Sequence, residues 1–140
     1  MNQLASLLKT NVINLLAKSG AIVLAFLVPI HELLIAVGVF VACDLITGLY
    51  KAYKTKDPIT SLRLRSTVSK LLAYQFAIIL CYVLEKYMLN DVPATKIVAT
   101  LISGTELVSI NENLYAITGL DVFKAIMAKL ELFKLGKGNE

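Results

Sequence analysis

The chain has 140 residues, 57% of them hydrophobic and 17% charged, with a net charge of +4, and this is more apolar mass than a soluble domain of its length buries. Its mean hydropathy of +0.72 points to a bilayer. Nucleic acid is a poor reading of the basic balance, because the Lys and Arg residues cluster beside apolar runs and no separate polar domain presents them.

Residues from about Gln3 to Lys18 read as an amphipathic helix. Leu4, Leu7, Leu8, Val12, Leu15 and Leu16 fall on one side, with Lys9, Asn11, Asn14 and Lys18 largely on the other. No signal-peptide pattern is expected there, since Lys9 and Lys18 are spread through a helical stripe and no small-residue cleavage site follows. The apolar run Ala21 to Val28 comes next, with Ser19 and Gly20 between. The sequence therefore allows either an interfacial helix followed by a span or one helix running as far as Pro29.

His31, the single histidine, sits beside Pro29 at an expected turn and reads as a solvated residue. Leu33 to Tyr50 then gives 18 residues with one charge, Asp44, and is the clearest spanning helix, because about 20 residues at 1.5 Å each cross a hydrocarbon core. A loop marked by Lys54, Lys56, Asp57, Pro58 and Ser61 leads to a second span from about Thr67 to Met88. Asn90, Asp91 and Pro93 make the next break. Ala94 to Thr118 is helical in pattern but rich in Ser, Thr, Asn and Glu, so it should pack against other helices. Asp121 is placed to cap a last, cationic amphipathic helix with Val122, Phe123, Ile126, Met127, Leu130 and Phe133 on one face, Lys124, Lys129 and Lys134 elsewhere, and Gly136 as its stop. Fifteen or so residues are too few to cross, so this helix should lie at the interface.

The expected architecture is all-α: one membrane domain of three to four spanning helices over 19–118, with amphipathic terminal helices over 1–18 and 121–135. Between Lys51 and Lys70 stand six basic residues against Asp57 alone, a local net of +5, which puts that loop in the cytoplasm by the positive-inside rule. The loop around Asp91 is neutral and should face out, and the C-terminus in. Four passes, or three with a re-entrant segment, satisfy this count.

Charged residues at bilayer depth cost about 2.5–3.5 kcal/mol each on insertion scales, so they should face protein or water. At 100° per residue, Asp44, Thr47, Gly48 and Lys51 share one arc, and Ser66, Lys70, Tyr74, Cys81 and Glu85 share another. Ser103, Glu106, Ser109, Glu112 and Asn113 occupy about half of a third helix, with Asn111 outside that arc. These stripes suit pairing within a bundle, such as Asp44 or Glu106 with Lys70, Arg65 or Lys51. They would equally suit the wall of a water-filled path between copies. A transporter is disfavoured by the short chain and the lack of inverted repeats. Cys43 and Cys81 read as two small buried hydrophobes. No catalytic set can be built around one histidine, and no phosphate loop or metal spacing is present, so neither enzyme activity nor a cofactor is expected.

The motif residues resemble those of the small phage lysis holins of the toxin secretion/phage lysis type. The pattern is Asp44, Thr47 and Gly48 at the end of a span, then Lys51 and Ala52, a loop with Ser61, Arg65 and Lys70, and a late run of Glu106, Ser109, Ile110, Glu112 and Asn113 with Gly119 after it. Order and spacing hold from about 33 to 130, and the late run is the most specific part. Ser66 departs from the pattern, which has Gly after the Arg. The resemblance implies a protein of the host cytoplasmic membrane that forms homo-oligomers and permeabilises the bilayer, so that a cell-wall hydrolase, an endolysin, reaches its substrate. It also leaves room for a non-lytic structural or assembly role in a phage or secretion-type particle.

Overall fold

A computed structural model describes the backbone of residues 2–89 and 91–137 and the side chains of 10–89 and 91–131. The expectations for the side chains of Leu4, Leu7, Leu8, Lys9, Phe133 and Lys134, and for Asn90, lie outside those residues. Five α-helices follow in order, and no strand occurs among the described residues: α1 (Asn2–Leu27), α2 (His31–Thr55), α3 (Ser61–Tyr87), α4 (Ala94–Thr118) and α5 (Val122–Lys137). The chain is all-α, as its patterning indicates. It falls into two compact units, 1–32 and 33–140.

In the first unit, α1 is one continuous helix that runs through Ser19 and Gly20, and a 3-10 turn over Val28–Ile30 ends it at Pro29. Proline is accommodated there because a first-turn residue needs no intrahelical N–H bond. Leu15, Leu16, Ile22 and Leu24 are all exposed. His31 is exposed as well, and its Nδ1–H donates to Val28 O at 2.6 Å, closing the turn.

The second unit is a bundle of α2, α3 and α4. The α3–α4 pair packs most closely. Cross-links fix the directions: Asp44 on α2 meets Ser109 on α4, and Lys54 donates to Ile117 O, so α2 and α4 run parallel. Gln75 Nε2 donates to Leu34 O and Arg63 Nη1 to Gly48 O, so α3 runs against α2. At one end of the bundle lie the α2–α3 connection and the end of α4; at the other, Glu85 Oε2 accepts from Thr95 N at 2.8 Å, tying the end of α3 to the start of α4.

The α2–α3 connection is tighter than the charge pattern suggests. Lys54 belongs to α2, and Arg63 and Arg65 belong to α3, leaving only residues 56–60 between the helices. Lys56 takes a left-handed φ of 60° and Asp57 N donates back to Ala52 O at 2.9 Å, a Schellman-type stop, after which Pro58 prevents continuation. Gly119 ends α4 in the same way, with φ 74° and its N–H on Tyr115 O at 2.8 Å. The expected stop at Gly136 is overrun, since α5 continues through it to Lys137.

Apolar residues are distributed inside out. The described buried apolar residues of the bundle are Val37, Val41, Ala52, Ile78 and Ala99, whereas Ile35, Ile46, Phe76, Leu80 and Leu101 are 61–66% exposed. A soluble bundle of this size would bury such residues; a bundle whose solvent is hydrocarbon leaves them outside. Cys43 is part of that outer surface and Cys81 is half-buried, which corrects the expectation that both are buried. A thiol is apolar enough to face lipid without cost. Two stretches are long and apolar enough to cross a membrane: Thr10–Thr55, 46 residues, and Ser61–Tyr87, 27 residues. The hydropathy of α4 is lowered by the polar residues along its length.

A buried charge network and its basic cleft

Asp44 and Glu106 occupy the middles of their helices. Glu106 is 12 residues, about 18 Å, from either end of α4, and Asp44 is equally deep in α2. Between them stands Lys70 of α3, whose Nζ lies 2.9 Å from Asp44 Oδ2 and 2.7 Å from Glu106 Oε2. The remaining carboxylate oxygens are also occupied. Tyr74 OH donates to Glu106 Oε1 at 2.9 Å, while Ser109 Oγ and Asn113 Nδ2 donate to Asp44 Oδ1 at 2.5 and 3.2 Å. Glu106 is 2% exposed, the most buried charged group described, and Coulomb attraction in such a low-dielectric setting is effective only because every oxygen also has a donor.

Local structure explains how these side chains meet. Thr47 turns its hydroxyl back to Cys43 O and Asp44 O, at 2.9 and 3.0 Å, which leaves its oxygen to accept from Asn113 Nδ2 at 3.4 Å. Gly48, one turn on from Asp44, faces α4 with room for a methyl group, since a Cβ there would sit 3.5 Å from Asn113 Nδ2 in ordinary van der Waals contact. The three stripes thus face one another within a single chain, and Asp44, Thr47, Lys70, Glu106, Ser109 and Asn113 form one network. Gly48 and Lys51 lie beside it. Arg65 and Glu112 are exposed and outside it.

From Asp44 and Lys70 a cleft of about 460 Å³ opens towards the α2–α3 connection, lined further on by Gly48, Lys51, Thr60, Arg63 and Ser66. Ser66, where the sequence departs from the Gly of the resembling family, therefore borders open space and not a tight helix contact. Lys51 is half-buried, and neither it nor Arg63 makes an ion pair among the described residues.

Three further contacts tie the helices together, of which only that of Glu85 comes from a residue in a phased polar arc. Gln75 reaches the Leu34 carbonyl, Glu85 caps α4 through Thr95, and Asn111, outside the α4 polar arc, anchors α5. Asn111 Oδ1 accepts from Phe123 N at 3.3 Å and its Nδ2 donates to Asp121 Oδ1 at 3.2 Å. Asp121 is the expected N-cap, accepting from Lys124 N at 3.0 Å. The Lys124 N–H, and then the Asn111 amide, hold the Asp121 carboxyl below its ordinary pKa. Beyond this anchor Phe123, Ile126, Met127 and Leu130 remain partly or largely exposed, an apolar face suited to a bilayer surface.

Neither a curated protein sequence nor a solved structure matches the chain. The sequence model of the bacteriophage holin family matches residues 21–135, which takes in most of the chain and the whole α2–α4 bundle with its charge network, and the chain is a membrane protein belonging to that family.

Proposed function

We propose that the chain is a lytic holin that accumulates in the host cytoplasmic membrane as a multi-pass protein, self-associates and permeabilises the bilayer, giving a cell-wall hydrolase access to its substrate. The observation that carries this reading is the inside-out bundle. Its exterior is apolar enough to accumulate in lipid, while α2 is joined to α3 and α4 chiefly by polar bonds around Lys70 that identical chains can exchange. A pore wall made by such exchange needs no new chemistry, since Asp44 of one copy finds the same donors in the next. The +5 count over residues 51–70 supports a cytoplasmic α2–α3 connection, and because the end of α4 lies at the same end of the bundle, the same reading assigns α5 to that side.

A non-lytic assembly role is the second reading, supported by the satisfaction of every network oxygen within one chain. Expression without other phage proteins separates the two. A lytic holin abolishes membrane potential and releases a co-expressed endolysin, and unchanged potential at high membrane levels favours the assembly role. Reporter fusions after Thr118 and within the Asp91 loop test the orientation.

A further inference from the structure

We infer that the cleft between the end of α2 and the start of α3 is a binding site for the phosphodiester headgroup of an anionic phospholipid, held by Lys51 and Arg63. Its volume of about 460 Å³ lies in the range of small-molecule sites, roughly 300–1,000 Å³. The charges in it do not cancel locally. At its inner end Lys70 is paired with Asp44 and Glu106, one cation against two carboxylates whose oxygens already accept from protein donors, and the two further cations at the mouth exceed that single surplus negative charge. Lys51 and Arg63 remain. Lys51 is half-buried with no carboxylate partner among the described residues, and Arg63 donates only to the Gly48 carbonyl, at 3.3 Å. A partly desolvated ammonium and a guanidinium converging on open space are a phosphate-recognition pair, the guanidinium offering a planar fork and the ammonium a point charge. The hydroxyls of Thr60 and Ser66 line the same space and can donate to further phosphate oxygens.

The surroundings select a lipid over a free phosphate ion. At this end of the bundle Tyr50, Tyr53, Ile59 and Leu62 are 54–76% exposed. Exposed tyrosines at the end of a span and apolar side chains beside them mark headgroup depth. Lys51 lies seven residues, about 10 Å, along α2 from Asp44, which puts the cationic mouth between the mid-level network and the basic connection. A phosphate held there keeps its acyl chains against the apolar exterior. The inference holds whether the assembled protein is lytic or structural.

The test is native mass spectrometry of the full-length protein purified in mild detergent and supplied with phosphatidylglycerol or phosphatidylcholine, with inorganic phosphate as a competitor. The wild type is expected to retain phosphatidylglycerol in preference to phosphatidylcholine. The double variant Lys51→Gln/Arg63→Gln should lose about tenfold in that retention, and Lys51→Arg/Arg63→Lys should restore most of it. Arg65→Gln/Lys56→Gln removes the same charge outside the cleft and should stay within about twofold of wild type. Equal loss in both Gln pairs would reduce the effect to diffuse charge and overturn the site, as would full retention in the cleft pair. Displacement of the lipid by inorganic phosphate at comparable concentration would reassign the site to the free ion and overturn the lipid assignment. Circular dichroism of each variant separates loss of binding from loss of fold, and the charge-conserving pair reads the site even if the Gln pair unfolds.

Discussion

Lys70 Nζ lies 2.7 Å from Glu106 Oε2, and the two partners differ in exposure, the Lys70 side chain keeping 30% of its surface accessible and Glu106 only 3%. With Asp44 on the other side of the ammonium, one positive group serves two carboxylates at the middle of the bundle. Removing either end of the Lys70–Glu106 pair is therefore unequal. Lys70→Met leaves two facing carboxylates without their cation and is expected to cost about 3 kcal/mol or more of bundle stability. Glu106→Gln keeps an acceptor for Tyr74 and balances Lys70 against Asp44, and should cost about 1 kcal/mol or less. Unfolding in mixed micelles followed by helicity ranks the two; equal losses would show that charge balance does not govern the network.

Gly48 of α2 faces Asn113 of α4. Since a Cβ at 3.5 Å from Asn113 Nδ2 is ordinary contact, Gly48→Ala should leave stability within about 1 kcal/mol of wild type, its helix propensity offsetting any small shift. Gly48→Leu drives Asn113 off Asp44 and Thr47 and is expected to cost about 1–3 kcal/mol by overpacking. The same unfolding assay checks both.

The α5 anchor depends on Asn111 and Asp121. Asp121→Ala removes the cap and the bond from Asn111 and should loosen the start of α5, seen as faster amide exchange over 122–126 with α2–α4 unchanged. Asn111→Ala should act in the same direction.

The same anchor has a pH dependence of definite sign. The folded-state pKa of Asp121 is depressed, so its contribution is present in full above the unfolded carboxylate value of about 3.9 and is lost as pH falls through the lower folded value. Protection of the α5 amides should hold from neutral pH down to about pH 4 and decline only below it. Loss of protection between pH 7 and 5 would contradict the assignment.

Lys56 carries a left-handed conformation that costs a side-chain-bearing residue about 1 kcal/mol relative to glycine. Lys56→Gly should stabilise the end of α2 by roughly that amount, and removing one of six basic residues should leave orientation unchanged, as read by the same reporter fusions.

Much of this architecture is legible in the sequence because membrane helices separate their polar and apolar residues so sharply. Pro93 and Gly119 bracket α4 at the expected residues, and the phases of Asp44, Lys70 and Glu106 anticipate that they face protein. Which cation meets which carboxylate is harder to read, since Lys51 and Arg65 have the right charge: Lys51 shares the helix and arc of Asp44 but lies further along it, and Arg65 points away from the Lys70 face of α3. Asn111 lies outside the polar arc for a related reason: a helix's own periodicity records its largest interface, and Asn111 serves the smaller one with α5. The start of α3 at Ser61 was hidden by Arg63 and Arg65, which read as loop charges but sit where a helix leaves the hydrocarbon.

The closed accounting of donors around Asp44 and Glu106 has an electrical consequence. Five hydrogen bonds reach their four oxygens, so protein donors supply much of the solvation that water would give these carboxylates, while the cleft brings solvent to the Asp44–Lys70 side. A single folded bundle thus holds its charges inside, with each carboxylate oxygen on a protein donor. On the proposed lytic reading, conductance is expected from states in which α2 has parted from α3 and α4, and the donors that then take over around Asp44 would determine whether the parted state is brief leakage or a lasting breach.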